Sequence, residues 1–354
     1  MPGWLLGACG VALLLGVGVD VLSTTLTIGT HAGPFTRRVL GLAWRGLLRL
    51  HRRDSEAGLL STAGVVLLVL SVLVWLAMVW VGWTLVFLGG HDAVVSSTTR
   101  RPGGVVDTFY YVGITLSTLG VGDFVAGSTG WRPVTTLAAF SGLVLVTLAI
   151  TYLLAVVSAV VARRSLAVRI AGLGDTAARI VVDGWTGERF SDAFLQQLGG
   201  LTEQIAHTAE RHLAYPVVHF FHSAERQSAA PLCVARLDDA LLLLQGAVAD
   251  GARPDLTAIR PLRRAVDRFL AAAAGNAGPG RSEVPPVPDV EPLQAAGIPL
   301  RGAAEFRALV AQESDRRSRL AELVRSDGWS WPGAQPRSAA PSAGSGKSTS
   351  DSGR

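Results

Sequence analysis

Apolar positions in this chain fall into long unbroken runs in the first half and recur at helical spacing in the second. No Asp, Glu, Lys or Arg occurs from Ala57 to Gly90 or from Pro133 to Ala162. A third apolar run extends from Trp4 to about Ile28, broken only by Asp20. A spanning helix needs roughly 20 apolar residues, so each run can cross a bilayer. The pattern predicts transmembrane helices at 1–30, 59–88 and 133–162. The first run is longer than the apolar core of a secretory leader. No basic stretch precedes it and no clear small-residue cleavage site follows, so it reads as a span.

Past Arg164 the period changes. Phe190, Phe194, Leu198, Leu201 and Ile205 keep helical spacing, as do Val234, Leu237, Leu241 and Leu244. Leu256, Ile259, Leu262, Val266 and Phe269 form a third such series. These predict amphipathic helices packed as a bundle over 163–275. NAGPGRSEVPPVPDVEP reads as a linker, placed at 276–300. A helix is expected at about Gly302 to Ser326, within 301–330, and Ser, Gly, Ala and Pro in 331–354 predict a disordered tail. The fold class is an all-α membrane protein. It has three spans, a re-entrant helix and loop between the second and third, and a helical region after them.

Charge sets the orientation. The connection 31–58 carries Arg37, Arg38, Arg45, Arg49, Arg52 and Arg53 against Asp54 and Glu56, and Arg163, Arg164 and Arg169 follow the third span. The connection from Gly89 to Arg132 balances Arg100, Arg101 and Arg132 with Asp92, Asp107 and Asp123. The positive-inside rule puts the first two segments in the cytoplasm and the third outside. The N-terminus is then external and everything after Arg163 is cytoplasmic, in a cell membrane of bacterial type. The net charge of +5 is almost wholly arginine, since Lys347 is the single lysine. Arginines flanking spans meet anionic lipid head groups, so the expected partner is the bilayer and not nucleic acid. Cys9 and Cys233 fall in a span and in the cytoplasmic part, which excludes a disulfide framework.

The segment between spans two and three contains FYYVGITLSTLGVGDF, Phe109 to Phe124. Unpaired backbone groups in hydrocarbon are costly and are tolerated only where they line a watery path or are buried in protein. A dehydrated cation suits such carbonyls, whose oxygens can replace its hydration shell. Glycine at alternate positions lets successive carbonyls face one axis. Gly120 and Gly122 have that spacing, and Thr118 adds a hydroxyl at the inner end. The stretch TLSTLGVGD, Thr115 to Asp123, resembles the T-x-x-T-V-G-Y-G-D signature of pore-loop potassium channels. Residues 105–117 resemble the family's pore helix, with Tyr110 and Tyr111 where it often has two tryptophans, and 118–123 its filter. Gly142 stands where inner helices of the family often carry a hinge glycine. The resemblance covers Leu59 to Val161, a pore domain at 59–162.

The resemblance implies ion sites at the Thr118 hydroxyl and the carbonyls of Thr118, Leu119, Gly120 and Val121. Gly122 would let the chain leave the axis, and Asp123 would anchor the filter through the Tyr110 hydroxyl. Thr115 and Ser117 would support it. With one pore loop per chain, the resemblance implies a homotetramer. Potassium would be the permeant ion, with no cofactor and no enzymatic activity. Val121 stands where the family usually has tyrosine or phenylalanine, so Tyr111 loses its usual hydroxyl partner. Ile114 stands where some relatives place a glutamate. Val121 motivates an alternative, a poorly selective cation channel. A potassium-uptake transporter subunit usually keeps one glycine in its pore loop, and the pair here argues against it. A membrane-anchored enzyme would use the tail as a phosphate loop.

Other positions bear two readings. Thr147 and Thr151 share one helix face, either lining an inner cavity or bonding back to the preceding turn. Asp20 either pairs with an arginine such as Arg37 or Arg45, or reaches the interface and marks the end of the first span. GLGDTA (Gly172 to Ala177) imitates part of a dinucleotide loop but lacks a preceding strand, and PSAGSGKS (Pro341 to Ser348) imitates a phosphate loop with proline for its first glycine. YPVVHFFH sets His219 and His222 near Glu225, which allows a zinc site but fits an aromatic packing patch better. Neither the gating stimulus nor a regulatory ligand for the cytoplasmic part can be read from these residues.

Overall fold

The computed structural model describes residues 2–26, 33, 35–36, 38–39, 41–42, 58–223, 225–274 and 284–331. The arginines at 37, 45, 49, 52 and 53, the PSAGSGKS motif and the tail from 332 lie outside the described residues.

The membrane part consists of α1 (Gly3–Leu26), α2 (Gly58–Gly89), a short α3 (Val105–Leu116) and α4 (Trp131–Ala171). Three of these, α1, α2 and α4, are long and apolar enough to cross a membrane. Lipid gives helices no hydrophobic reason to associate, so close packing must hold them. Between α1 and α2 glycine supplies it: a methyl on Gly3 would lie 2.9 Å from the Gly89 carbonyl oxygen, and one on Gly10 would lie 2.6 Å from that of Gly82.

Asp20 does not simply mark the end of the first span: its side chain is fully buried. The arginines considered as its partners, Arg37 and Arg45, lie outside the described residues. The Asp20 carboxylate accepts from the Phe35 amide at 2.7 Å, from the Thr36 amide and hydroxyl, and from Trp75 Nε1 of α2 at 3.0 Å. A costly intramembrane acid is thus spent on tying α1, the 33–36 segment and α2 together.

Strands β1 (Val94–Ser96) and β2 (Phe124–Ala126) pair antiparallel, with Val95 opposite Val125. They close the neck of the loop that contains α3. The Ser97 amide donates to the Asp123 carbonyl at 2.8 Å, extending the clamp into the loop.

Helix α4 continues past the expected end of the third span at residue 162, carrying Arg163, Arg164 and Arg169 into the C-terminal region. That region follows as α5 (Ala177–Asp183), α6 (Asp192–Ala214), a 3₁₀ turn at Pro216–Phe220, α7 (Ala230–Gly246) and α8 (Leu256–Ala274). Helices α9 (Glu291–Ala295), α10 (Ala303–Gln312) and α11 (Ser314–Ser326) complete it. Thr176 caps α5 through the Arg179 amide, so GLGDTA is a helix-to-helix turn. The helix expected at 302–326 is two helices, broken at Glu313. Phe190 precedes α6 and bridges to Trp185 instead of starting the helix.

Helix α7 is buried on almost every side and forms the centre of the bundle. Its adjacent acids are matched by adjacent arginines of α11: Arg316 to Asp238 at 2.7 Å and Arg317 to Asp239 at 3.0 Å. Arg317 also donates to the carbonyls of Pro285 and Pro286, at 3.0 and 2.6 Å, and lies over Trp331. The proline stretch expected to be a free linker is therefore anchored at these prolines, and Leu293 and Ile298 are buried beside it. Burial raises the Asp239 carboxyl to about 6 despite Arg317.

Candidate functional site

Helix α3 is held at its start by Asp107, whose carboxylate accepts from the Gly104 amide at 2.9 Å. A negative charge in the first turn also suits the helix dipole. One side of α3 rests on α2. Trp80 stacks on Phe109 at 4.6 Å and donates to its carbonyl at 2.9 Å. A side chain at Gly113 would collide with the Trp80 ring. The other side meets α4. At Gly142 a methyl would run into the Leu116 backbone, so this glycine lets α4 pass the C-terminal end of α3. The helix runs unbroken through it, and close packing, not a bend, is its visible use.

The loop that leaves α3 alternates in hand. Thr118, Gly120 and Gly122 have φ of +58°, +56° and +88°. A β-branched residue at positive φ is a genuine outlier, and such strain collects at functional positions. The loop hangs from the end of α3. The Thr118 amide donates to the Thr115 carbonyl at 3.1 Å, and the Leu119 and Gly120 amides share the Ile114 carbonyl at 2.9 and 3.2 Å. The Ser117 hydroxyl leans on the same carbonyl and the Thr115 hydroxyl bonds back to Tyr111. These bonds leave the side chains of Leu119 and Val121 69% and 57% exposed. No atom lies within 4 Å of a methyl built on Gly120 or Gly122, so glycine is needed there for φ and not for room.

Asp123 accepts from the Phe124 amide at 3.0 Å, and the Tyr110 hydroxyl faces its carboxylate. Tyr111 is buried, and its hydroxyl has a partner that the sequence does not suggest: Thr135 Oγ1 of α4, at 2.7 Å. Thr135 donates in turn to the Trp131 carbonyl at 3.0 Å. Its proton is therefore committed, and Tyr111 is the donor of the pair.

Thr147 and Thr151 are exposed, and both hydroxyls bond back one turn at 2.9 Å, to the Leu143 and Thr147 carbonyls. They lie on an α4 that exposes Phe140, Val144, Ile150, Leu154 and Val157 along its length.

The YPVVHFFH segment packs against the membrane-spanning helices. Val217 and Val218 are buried in the hydrophobic core of the membrane helices, and Tyr215 meets Tyr152 of α4 edge-on at 6.2 Å. A methyl on Gly64 of α2 would collide with the Phe221 ring. Arg163 of α4 fixes the segment through the Val218 and Phe221 carbonyls, at 3.0 and 2.9 Å, and binds Asp327 after α11 at 2.9 Å. His222 Nδ1 also contacts Asp327, at 3.1 Å. His212 and His219 rings lie edge to face at 6.1 Å. Burial lowers their pKa values to about 3 and about 4, with Arg163 opposing protonation further. Among the described residues no group of three or more His, Cys, Asp or Glu could hold a metal, so the zinc reading gains no support. The sequence signal for this packing is the apolar run Val217 to Phe221, interrupted by one histidine.

Residues 64–159 match the family described as ion channel. The chain is also 31% identical over 329 residues to an uncharacterized membrane protein, YdjJ, of Bacillus subtilis, covering 91% of this chain and 94% of that relative. No solved structure matches. The chain belongs to the ion-channel family.

Proposed function

We propose that this member of the ion-channel family is a passive potassium-selective channel that works as a homotetramer. The observation that carries the reading is the alternation of left-handed residues at Thr118, Gly120 and Gly122, on a loop hung from the C-terminal end of a membrane-embedded helix. Alternating hand turns successive carbonyls toward one side. The Thr118 hydroxyl and the carbonyls of Thr118, Leu119, Gly120 and Val121 then form the ion sites. The partial negative charge at the end of α3 favours a cation there. Gly122 releases the chain and Asp123, facing Tyr110, holds the outer end.

One chain supplies one arc of oxygens, and a dehydrated cation needs a ring. The open surroundings of Gly120, the exposed Leu119 and Val121, and the apolar face of α4 suit a closed assembly of four copies. Orientation follows the arginines, with the filter facing outward and the helical region in the cytoplasm of a bacterial plasma membrane. A second reading, a poorly selective cation channel, rests on Val121.

The test is ion flux into liposomes containing the purified chain. Potassium uptake is expected from the wild type, and Gly122→Ala is expected to abolish it with the assembly intact, because a methyl opposes positive φ. Undiminished uptake by Gly122→Ala would overturn the filter assignment.

A further inference from the structure

We propose that Thr135 is a positioning residue for ion selectivity, and that the Tyr111–Thr135 hydrogen bond is the brace that sets the lateral position of the filter. The inference rests on the potassium-channel reading. It starts from a deficit. Valine at position 121 has no polar group with which to tie the filter to the helix behind it. Beside the loop lies an open cavity of about 490 Å³, lined by Tyr111, Thr115, Thr118, Gly120, Gly122 and Thr135 among others. Among the described residues of one chain, Val121 does not fill it.

The restraint must then come through α3. Three successive loop amides, those of Thr118, Leu119 and Gly120, end on the carbonyls of Thr115 and Ile114. Any shift of the C-terminal turn of α3 moves the ion ligands with it. On the α2 side that helix is held at Phe109 and Gly113 by Trp80. On the α4 side, among the described residues, its side-chain hydrogen bond is Tyr111 to Thr135 at 2.7 Å. The bond is part-buried: Tyr111 is 4% exposed, while Thr135 is half-buried at the edge of the same cavity. It is also directional, because Thr135 has its own proton on Trp131 and can only accept. The partner thus lies on the inner helix and not on the filter. Movement of α4 near Trp131 is thereby coupled to the carbonyl ring.

A brace of this kind touches no ion, so its loss should appear in discrimination between ions of different size. The measurement is the potassium-to-sodium permeability ratio, from reversal potentials of the purified full-length protein in planar bilayers. Thr135→Val keeps the shape and removes the acceptor. Tyr111→Phe removes the donor, provides a second route if the first variant fails to assemble, and leaves the ring in place. Each is expected to lower the ratio by about 2- to 10-fold, the range that one net hydrogen bond represents. The double variant should fall no further than either single one. Thr135→Ser, which retains the hydroxyl, should restore the wild-type ratio. A selective wild type matched by both Thr135→Val and Tyr111→Phe would overturn the brace alone, as would a Thr135→Ser as poor as Thr135→Val. A wild type with no potassium preference would overturn the potassium reading and the brace together.

Discussion

Acidification should loosen the junction between α4 and the C-terminal helices, and the size of the effect can be worked from the buried histidines. His212 is held neutral with a pKa of about 3 and His219 with one of about 4, both chiefly by burial and then by Arg163, against a weaker opposing pull from Asp327. His219 also faces His222, and His212 faces His219. In the opened chain each titrates near its ordinary value of about 6.5. A group whose folded pKa is depressed contributes stability above its unfolded value and loses it as pH falls toward the folded one. The window therefore runs from about pH 6.5 down to about 4 for His219 and about 3 for His212, and each histidine costs about 1.4 kcal/mol per pH unit inside it. At pH 5.5 the two together cost roughly 3 kcal/mol relative to pH 7.5. Asp239 works the other way. Its folded pKa of about 6 lies above the ordinary carboxylate value, so protonation favours the folded form, and it returns roughly 1 kcal/mol by pH 5.5. Asp327 is held below its ordinary value, mainly by Arg163 and His222 against burial, and stays ionised throughout the window. The net loss is about 2 kcal/mol, or roughly 4–8 °C in Tm for a region of this size. Thermal unfolding of the detergent-solubilised full chain, followed by near-ultraviolet circular dichroism at the two pH values, measures it. The variant His212→Gln with His219→Gln should remove the downward slope. An unchanged or higher Tm at pH 5.5 in the wild type would refute the reasoning.

Two further outcomes are expected. Asp20→Ala leaves the Phe35 and Thr36 amides and the Thr36 hydroxyl short of an acceptor and leaves the buried Trp75 indole with Thr36 alone, and should destabilise the membrane part by about 3 kcal/mol or more; a thermal aggregation temperature equal to wild type in detergent would contradict the role assigned to Asp20. A cysteine at Ser165 should resist an impermeant thiol reagent added outside intact cells, whereas one at Ser128 should react; the reverse pattern would overturn the orientation.

The spans and the loop are legible in the sequence because they depend on local composition. Apolar runs long enough for a bilayer, charge-free but for Asp20 in the first, announce α1, α2 and α4, and the paired glycines announce a backbone that changes hand. What stays hidden depends on partners distant in the chain. Nothing near Asp20 in the sequence shows that Trp75, 55 residues on, will bond it. Tyr111 lost its expected partner with the valine at 121, and the replacement lies on another helix. The glycines of α1 look like ordinary span residues until Gly82 and Gly89 are set against them. Nothing in the sequence around Gly142 shows that it lies against the Leu116 backbone. The YPVVHFFH segment looks like part of a soluble bundle because its histidines and position suggest it. Its valines instead join the buried cluster formed by the spanning helices, and Arg163 of α4 secures the segment.

The central claim is that the Thr118–Asp123 loop forms a ring of carbonyls selective for potassium, and the reversal potential under bi-ionic conditions tests it most directly. The purified wild-type chain is placed in a planar bilayer with potassium chloride on one side and sodium chloride on the other. The current should reverse at a potential displaced toward potassium equilibrium, corresponding to a permeability ratio well above unity. Val121→Tyr should raise that ratio or leave it high. A reversal potential near zero in both proteins would contradict the potassium assignment and leave a poorly selective cation pore as the better account.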